Sequence, residues 1–510
     1  MKPHLIFYDA NGAKTTYTYE KMNKLGCRAA HALSSLGLQK GDTVAVLSRN
    51  SPHYAIAWFA CAKMGAILTG INYMFTEEEI AYQANHCEAR FLIVEAGLAS
   101  KVDRIRQRLP HVEKYICCNV ADGESPAGWI DFRDLVAEGH SDLEPEVEIH
   151  DDDVAFLTYT SGTEAKPKGA LIQHRTYYSS TVLSWLIDFG LSNDDIALFV
   201  LPLYTIGGLG TFTLMSIIGM TIVLPYQVDP SQCLGIVQDE GVSFIAQTPT
   251  FYLRLMQGPN FEDADLSTVR LCGTFGGLLS VQVLDAWNRK APDIVWTSYW
   301  GQSELGQLGC LGKFRTLEDV PGGDPSWIGK PVATLEVRVV DEKGEEVAVG
   351  EPGELVCRSP STMLGYHKDP EKTESVFAGG WVHTGDIVRQ DGEGNLFFFD
   401  RKKDVIKTGG INVSSYDVEQ AIHRHPGVAE VAVVGVQDQT WSEIVTAAVV
   451  PQKAVRLSEK EIEETCRASL AAYKVPKEII LVEQLPKDPS GKILKRELRK
   501  QIGEQRRGQS

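Results

Sequence analysis

The sequence has 510 residues, 43% of them hydrophobic and 23% charged, with a formal net charge of -17. One hydrophobic core fills about 250–300 residues, so at least two domains are expected. The acidic balance argues against nucleic acid as a partner, and ten cysteines without a C-x-x-C pair argue against a disulfide scaffold or a zinc site.

The opening residues, Met1-Lys2-Pro3-His4, run into a strand-like segment without the apolar core of a signal peptide. Thr18 is the N-cap of an amphipathic helix that reaches Leu36 and stops at Gly37. A strand over 42–47 and a helix over 53–64 follow. Thr76 and Glu79 form a capping box ahead of the next helix, and 90–94 reads as a short buried strand. Such alternation predicts a largely parallel sheet with helices on its faces. A polar, irregular stretch over 122–152 interrupts it before the pattern resumes.

Residues 196–228 contain no charged side chain, a length that matches a membrane span. Pro202, Gly207, Gly208, Gly210, Gly219 and Pro225 break the run too often for one helix. It is read instead as a buried strand, loop, helix and strand. Over 336–358 the pattern turns to short alternating strands, with turns at 342–344 and 351–353. Asp391-Gly392-Glu393-Gly394-Asn395 predicts a hairpin leading into a strand over 396–399. The charged run Asp400-Arg401-Lys402-Lys403-Asp404 marks a boundary. Beyond it lies a segment of domain size with helices over 415–424 and 458–472 and strands over 428–436 and 444–450. The C-terminal stretch is basic, and Arg-Gly-Gln-Ser at its end is neither a lipidation nor a peroxisomal signal, while the scattered cysteines suit a reducing cytoplasm, the expected location.

The most informative segment joins an apolar strand over 154–159 to a loop of hydroxyl and glycine residues that ends in Pro167-Lys168-Gly169. Backbone N–H groups, hydroxyls and two lysines together suit a polyphosphate. The loop is not a Walker A loop, and Ser490-Gly491-Lys492 also fails that pattern, with Pro486 at the first glycine position and Ile493 after the lysine. Taken alone, a Ser/Thr/Gly/Lys loop is more often an ordinary turn.

Thr160-Ser161-Gly162-Thr163 through Lys168 resembles the phosphate loop of the adenylate-forming, AMP-binding superfamily, and four further segments resemble that family's motifs in order. Tyr299-Trp300-Gly301-Gln302-Ser303-Glu304 looks like the adenine and magnesium motif, and Thr384-Gly385-Asp386 like the ribose motif. Asp400 to Asp404, continuing to Lys407-Thr408-Gly409-Gly410, looks like the hinge and the start of the mobile domain. Pro489-Ser490-Gly491-Lys492 looks like the catalytic lysine loop.

The resemblance, which covers nearly the whole chain, implies an α/β fold. It has a large N-terminal domain of mainly parallel α/β sheets with a small antiparallel β section, and a small mobile α+β C-terminal domain. The expected limits are 1–400 for the ATP- and acid-binding domain, 401–403 for the hinge and 404–510 for the catalytic-lysine domain. The implied activity is AMP-forming ligation of a fatty or aryl carboxylic acid to CoA through an acyl-adenylate. ATP, Mg²⁺ and CoA are the implied cofactor and substrates, and no nucleic acid or transmembrane segment is implied. Peripheral membrane contact and a homodimer stay open.

By the same resemblance, Thr160, Ser161, Gly162, Thr163 and Lys168 hold the β- and γ-phosphates, and Glu304 binds Mg²⁺. Trp300 stacks on adenine where the family more often has Tyr, with Gly276, Gly277 and Leu278 across the slot and Gly301, Gln302 and Ser303 completing the motif. Asp386 and Arg401 hold the ribose, Lys403 is the hinge, and Lys492 catalyses adenylation. Lys407 serves thioester formation, and Gly409 and Gly410 line the CoA path. The acid pocket comes from 203–210, 247–252 and 273–278, including Tyr204, Thr205, Gly207, Gly208, Thr250 and Gly276. These segments carry no basic residue, so a hydrophobic acid is expected.

Two positions depart from the family pattern. Glu164-Ala165 stands where Thr-Gly is commonest, a change that some fatty-acid ligases share. Thr205 stands where many relatives have a histidine that touches the acid. The alternatives are a stand-alone adenylating enzyme that loads a carrier protein, a luciferase-type oxygenase, and a nucleotide-binding protein without catalysis.

Overall fold

A computed structural model describes residues 2–119, 124–137, 139–160, 167–177, 181–277, 279–307, 309–438, 440–452, 455–487 and 493–509. The chain forms two compact units, Met1–Val337 with Cys357–His383, and Arg338–Val356 with Thr384–Ser510.

In the first unit, local signals place the helices. Thr18 accepts from the Lys21 N–H at the start of helix Tyr19–Ser35. Thr76 and Glu79 complete the capping box of helix Glu77–His86. Burial places the strands. Thr43–Leu47 and Phe91–Glu95 are buried along their whole length, as strands covered on both faces must be.

Among the described residues, one sheet runs in the order Gly365–Tyr366, Lys168–Gln173, Val154–Thr160, Ile67–Ile71, Thr43–Leu47, Phe91–Glu95, Lys114–Cys118, Ile130–Asp131. Its strands are parallel from Val154–Thr160 onward, and the two before it are antiparallel. The other sheet of this unit has a parallel centre of Val295–Trp300, Leu271–Thr274, Phe244–Gln247, Ile196–Leu198, Thr221–Pro225 and Pro3–Tyr8. Antiparallel strands flank that centre.

The uncharged 196–228 run becomes strand Ile196–Leu198, helix Ile206–Ile218 and strand Thr221–Pro225, ended or turned at the expected prolines and glycines. No helix among the described residues is long and apolar enough to cross a membrane.

In the second unit, the 391–395 turn joins Val382–Gln390 to Leu396–Arg401 in an antiparallel hairpin. A further sheet pairs Ile411–Val413, Ile406–Thr408, Ser442–Pro451 and Val428–Asp438, with Glu478–Leu481 beside Ser442–Pro451. Helices Ser415–His423 and Glu459–Ser469 belong to the same core as this sheet.

A charged cluster is set within that unit. Asp400, 2% exposed, accepts from the Ser415 N–H at 2.6 Å and the Ser415 hydroxyl at 2.7 Å, at the first turn of helix Ser415–His423. The Lys495 ammonium meets the Ser415 Oγ and Glu419, each at 2.7 Å. Burial raises the Asp400 and Glu419 carboxyls above the ordinary carboxylate range, and the Lys495 charge offsets part of that rise. Lys495→Met removes the offsetting charge and leaves two buried carboxylates without it. The variant is expected to lose about 3–5 kcal/mol from the unfolding transition of this unit. In denaturant titrations the loss should shrink as acid protonates both carboxyls, since their stabilising protonated form then persists in the folded state.

Candidate active site

Parallel strands present their carboxyl ends on one edge, where open α/β sheets bind ligands. In the larger sheet of the first unit, Leu198 pairs with Ile245, Gln247 with Thr274, and Thr274 with Ser298. Four strands therefore end side by side. Their exits carry Leu203–Gly210, Gln247–Thr250, Thr274–Gly277 and Trp300–Glu304, the segments that the sequence names for the acid and the adenine. Residues at these exits are far apart in the chain but adjacent on one edge.

The phosphate-loop residues Ser161, Gly162 and Thr163 lie outside the described residues, as do Glu164, Ala165 and Leu278. The flanks of the loop are defined. Thr160 ends its strand directly opposite Lys168 in the antiparallel register. The Lys168 ammonium lies 5.8 Å from the centre of the Tyr366 ring. The Tyr366 hydroxyl donates to Glu304 Oε1 at 2.6 Å. Lys168 and Glu304, 136 positions apart in the numbering (304 − 168), thus share one tyrosine. Nothing in the sequence pattern singled out Tyr366, because only the fold brings its strand beside both.

Trp300 closes strand Val295–Trp300, and Glu304 sits on the short 3-10 turn Ser303–Leu305 that follows. The indole lies across Gly309, where an added Cβ would come 2.6 Å from Cζ3 and 2.8 Å from Cε3. Gly276 and Gly277 follow strand Leu271–Thr274 with positive φ, and the Thr274 hydroxyl donates to the Gly277 carbonyl at 3.2 Å.

The acid-pocket residues divide by environment. Tyr204 is buried, with its ring 6.0 Å from that of Tyr73. Thr205 is the N-cap of helix Ile206–Ile218. Its Oγ1 accepts from the Gly208 N–H at 3.0 Å and donates to the Pro202 carbonyl at 2.8 Å. Threonine is a favoured N-cap residue, so Thr205 has a local structural role at this helix start. Gly207 lies in the first turn of the same helix, and Thr250 is exposed at the start of helix Pro249–Met256.

In the second unit, Arg401 reaches the fully buried Asp386 at 2.8 Å. The buried Glu354, which the sequence reading missed, accepts from the Gly385 N–H at 3.1 Å and from the Lys402 ammonium at 2.8 Å. It ties the predicted ribose loop to the residue before Lys403. Lys407 is exposed on strand Ile406–Thr408, and its N–H donates to Glu443 at 2.8 Å. Gly409 and Gly410, with φ of 58° and 79°, form a two-residue turn between paired Thr408 and Ile411. Positive φ at both positions is the type I′ requirement that glycine meets without strain. The half-exposed Trp441 borders Gly409, with the Lys477 ammonium 3.3 Å over its ring. Lys492 lies outside the described residues, while Lys487 and Ile493 on either side of its loop form a bridge pair.

Among the described residues no group of three or more His, Cys, Asp or Glu is placed to hold a metal ion. Mg²⁺ is commonly held by one or two carboxylates together with phosphate oxygens, so the single carboxylate of Glu304 fits a nucleotide-borne cation. Gly309→Ala displaces the indole from its seat. It is expected to weaken adenine-nucleotide binding by about 1–3 kcal/mol, the size of a base–aromatic stack, as calorimetry will measure.

The family model for AMP-binding enzymes matches residues 1–367, and that for the AMP-binding enzyme C-terminal domain matches 417–492. A feruloyl-CoA synthase from Amycolatopsis sp is 33% identical across 99% of this chain and 97% of that protein. The fatty acid–[acyl-carrier-protein] ligase ScoC of Streptomyces coeruleorubidus is 32% identical across 95% and 91%. The crystal structure of the anthranilate CoA ligase AuaEII in complex with anthranoyl-AMP matches with a TM-score of 0.85 at 28% identity, covering 98% of this chain and 94% of that one. The chain belongs to the AMP-binding enzyme family and is an AMP-forming acid–thiol ligase.

Proposed function

We propose that this ligase joins a hydrophobic fatty or aryl acid to CoA in two half-reactions. In the first, a carboxylate oxygen of the acid attacks the α-phosphorus of ATP, and pyrophosphate leaves. In the second, the CoA sulfur attacks the acyl carbon of the mixed anhydride, and AMP leaves. The observation that carries the reading is the shared strand edge, where the acid segments and the adenine segment exit side by side. The acid segments contain no basic residue to partner a second charge on the substrate. The names of the feruloyl and fatty-acid relatives support the same substrate class.

The roles proposed for the first unit follow from charge. Lys168, with Thr160, Ser161, Gly162 and Thr163, holds the departing phosphates, where preorganised donors stabilise developing charge. Glu304 holds Mg²⁺, which neutralises charge on the phosphates when bound. Trp300 provides a flat face for adenine, and Gly276 and Gly277 leave room beside it. In the second unit, the Asp386 carboxylate is oriented by Arg401 and accepts from the ribose hydroxyls. Residues 401–403 are the hinge. Lys407, Gly409 and Gly410 serve the thioester step, and Trp441 forms a wall of the CoA path beside Gly409. The cysteines are buried and form no disulfide, which suits a reducing cytoplasm.

A second reading is loading of a carrier protein in place of CoA. The carrier-protein ligase ScoC, nearly as similar as the CoA synthase, favours it.

Acid-dependent pyrophosphate release over a panel of fatty and aryl acids, followed by product analysis with free CoA and with holo-carrier protein, tests both readings. Acyl-CoA as product supports the first, and an acylated carrier without acyl-CoA supports the second. Lys492→Ala is expected to slow pyrophosphate release by about 10²–10³-fold, like the loss of one preorganised donor. Thioester formation from supplied acyl-AMP should be spared, and an equal loss of both half-reactions would refute that role for Lys492.

A further inference from the structure

Tyr366 lies on the two-residue strand Gly365–Tyr366, and the segment around it is stitched on two sides. On one side, Met363 N–H donates to the Glu304 carbonyl at 3.0 Å and Ser361 Oγ donates to the Leu305 carbonyl at 2.9 Å. On the other, Leu364 N–H donates to the Leu171 carbonyl at 2.8 Å and His367 N–H to the Gly169 carbonyl at 2.7 Å. The Tyr366 N–H is itself held by Thr373 Oγ1 at 2.9 Å. The backbone of Tyr366 is therefore fixed between the turn that carries Glu304 and the strand that begins with Lys168. Its side chain repeats that bridge, with the hydroxyl on Glu304 Oε1 and the ring facing the Lys168 ammonium.

We propose that Tyr366 is the positioning residue that sets Glu304 against Lys168. Its hydroxyl engages one carboxylate oxygen, so that the other is presented to the divalent cation carried by the nucleotide. This rests on the reading of Glu304 as the cation ligand and Lys168 as a phosphate ligand. A glutamate side chain has several rotamers to lose on ordering, and a hydrogen bond to a charged oxygen removes that freedom before the cation arrives. The ring acts separately, as a flat and weakly attractive face for the ammonium at long cation–π distance.

The hydroxyl and the ring can be removed one at a time from the full-length enzyme. Tyr366→Phe keeps the ring and is expected to melt at the wild-type temperature. It should raise the Mg²⁺ concentration for half-maximal pyrophosphate release about tenfold. It should also weaken Mn²⁺ binding about tenfold, read by electron paramagnetic resonance with a non-hydrolysable ATP analogue. Its affinity for nucleotide without divalent cation, read by calorimetry, should match wild type. Tyr366→Leu removes the ring as well and should also weaken the cation-free affinity about threefold. Unchanged cation dependence in Tyr366→Phe, beside a raised dependence in Glu304→Gln, overturns the positioning role and leaves Glu304 as ligand. Unchanged dependence in Glu304→Gln overturns the reading of Glu304, and the proposal with it.

Discussion

The constraint on which the first unit depends is the parallel pairing of its strands. A parallel neighbour needs a crossover, so the chain returns through a helix or loop over a face of the sheet before each such strand. Each exit of a parallel run thus opens onto one edge. Because Leu198, Gln247, Thr274 and Ser298 sit in connected register, the segments after them converge whatever their separation in the chain. Burial of these strands on both faces fixes the edge, since a slip of one residue would move every side chain into packing shaped for another. The chemistry is left to the exits, which are short, glycine-rich and free of the ladder.

Local physics was legible in the sequence. The Thr76–Glu79 capping box, the N-cap at Thr18 and the turn at 391–395 all stand where their residue types predict. The uncharged 196–228 run was resolved correctly because proline and glycine punctuate it. The motifs were legible as a resemblance, and the structure brings several of their residues to one edge. What the sequence did not show are pairings between distant elements. Tyr366 on Glu304, Glu354 on Gly385 and Lys402, and Lys495 on Glu419 have no local periodicity to announce them. Thr205 shows the converse case. Compared with the family it is a missing histidine, while read locally it is a helix cap.

The second unit contrasts with the first in how it is held. Its sheet is apolar and ordinary, but the start of helix Ser415–His423 is fastened by a buried carboxylate, a hydroxyl and an ammonium. Such groups gain little net stability over apolar packing, yet each is costly to leave alone. They tie Asp400, just ahead of the predicted hinge residues, to a helix just beyond them.

The seat of Trp300 also limits which residues positions 300 and 309 can hold together. The six-membered part of the indole, at Cε3 and Cζ3, stands where a Cβ on residue 309 would have to sit. Glycine at 309 and tryptophan at 300 are therefore coupled: a side chain at 309 and the indole at 300 compete for the same space. The two positions cannot be varied independently, because each sets the volume left to the other.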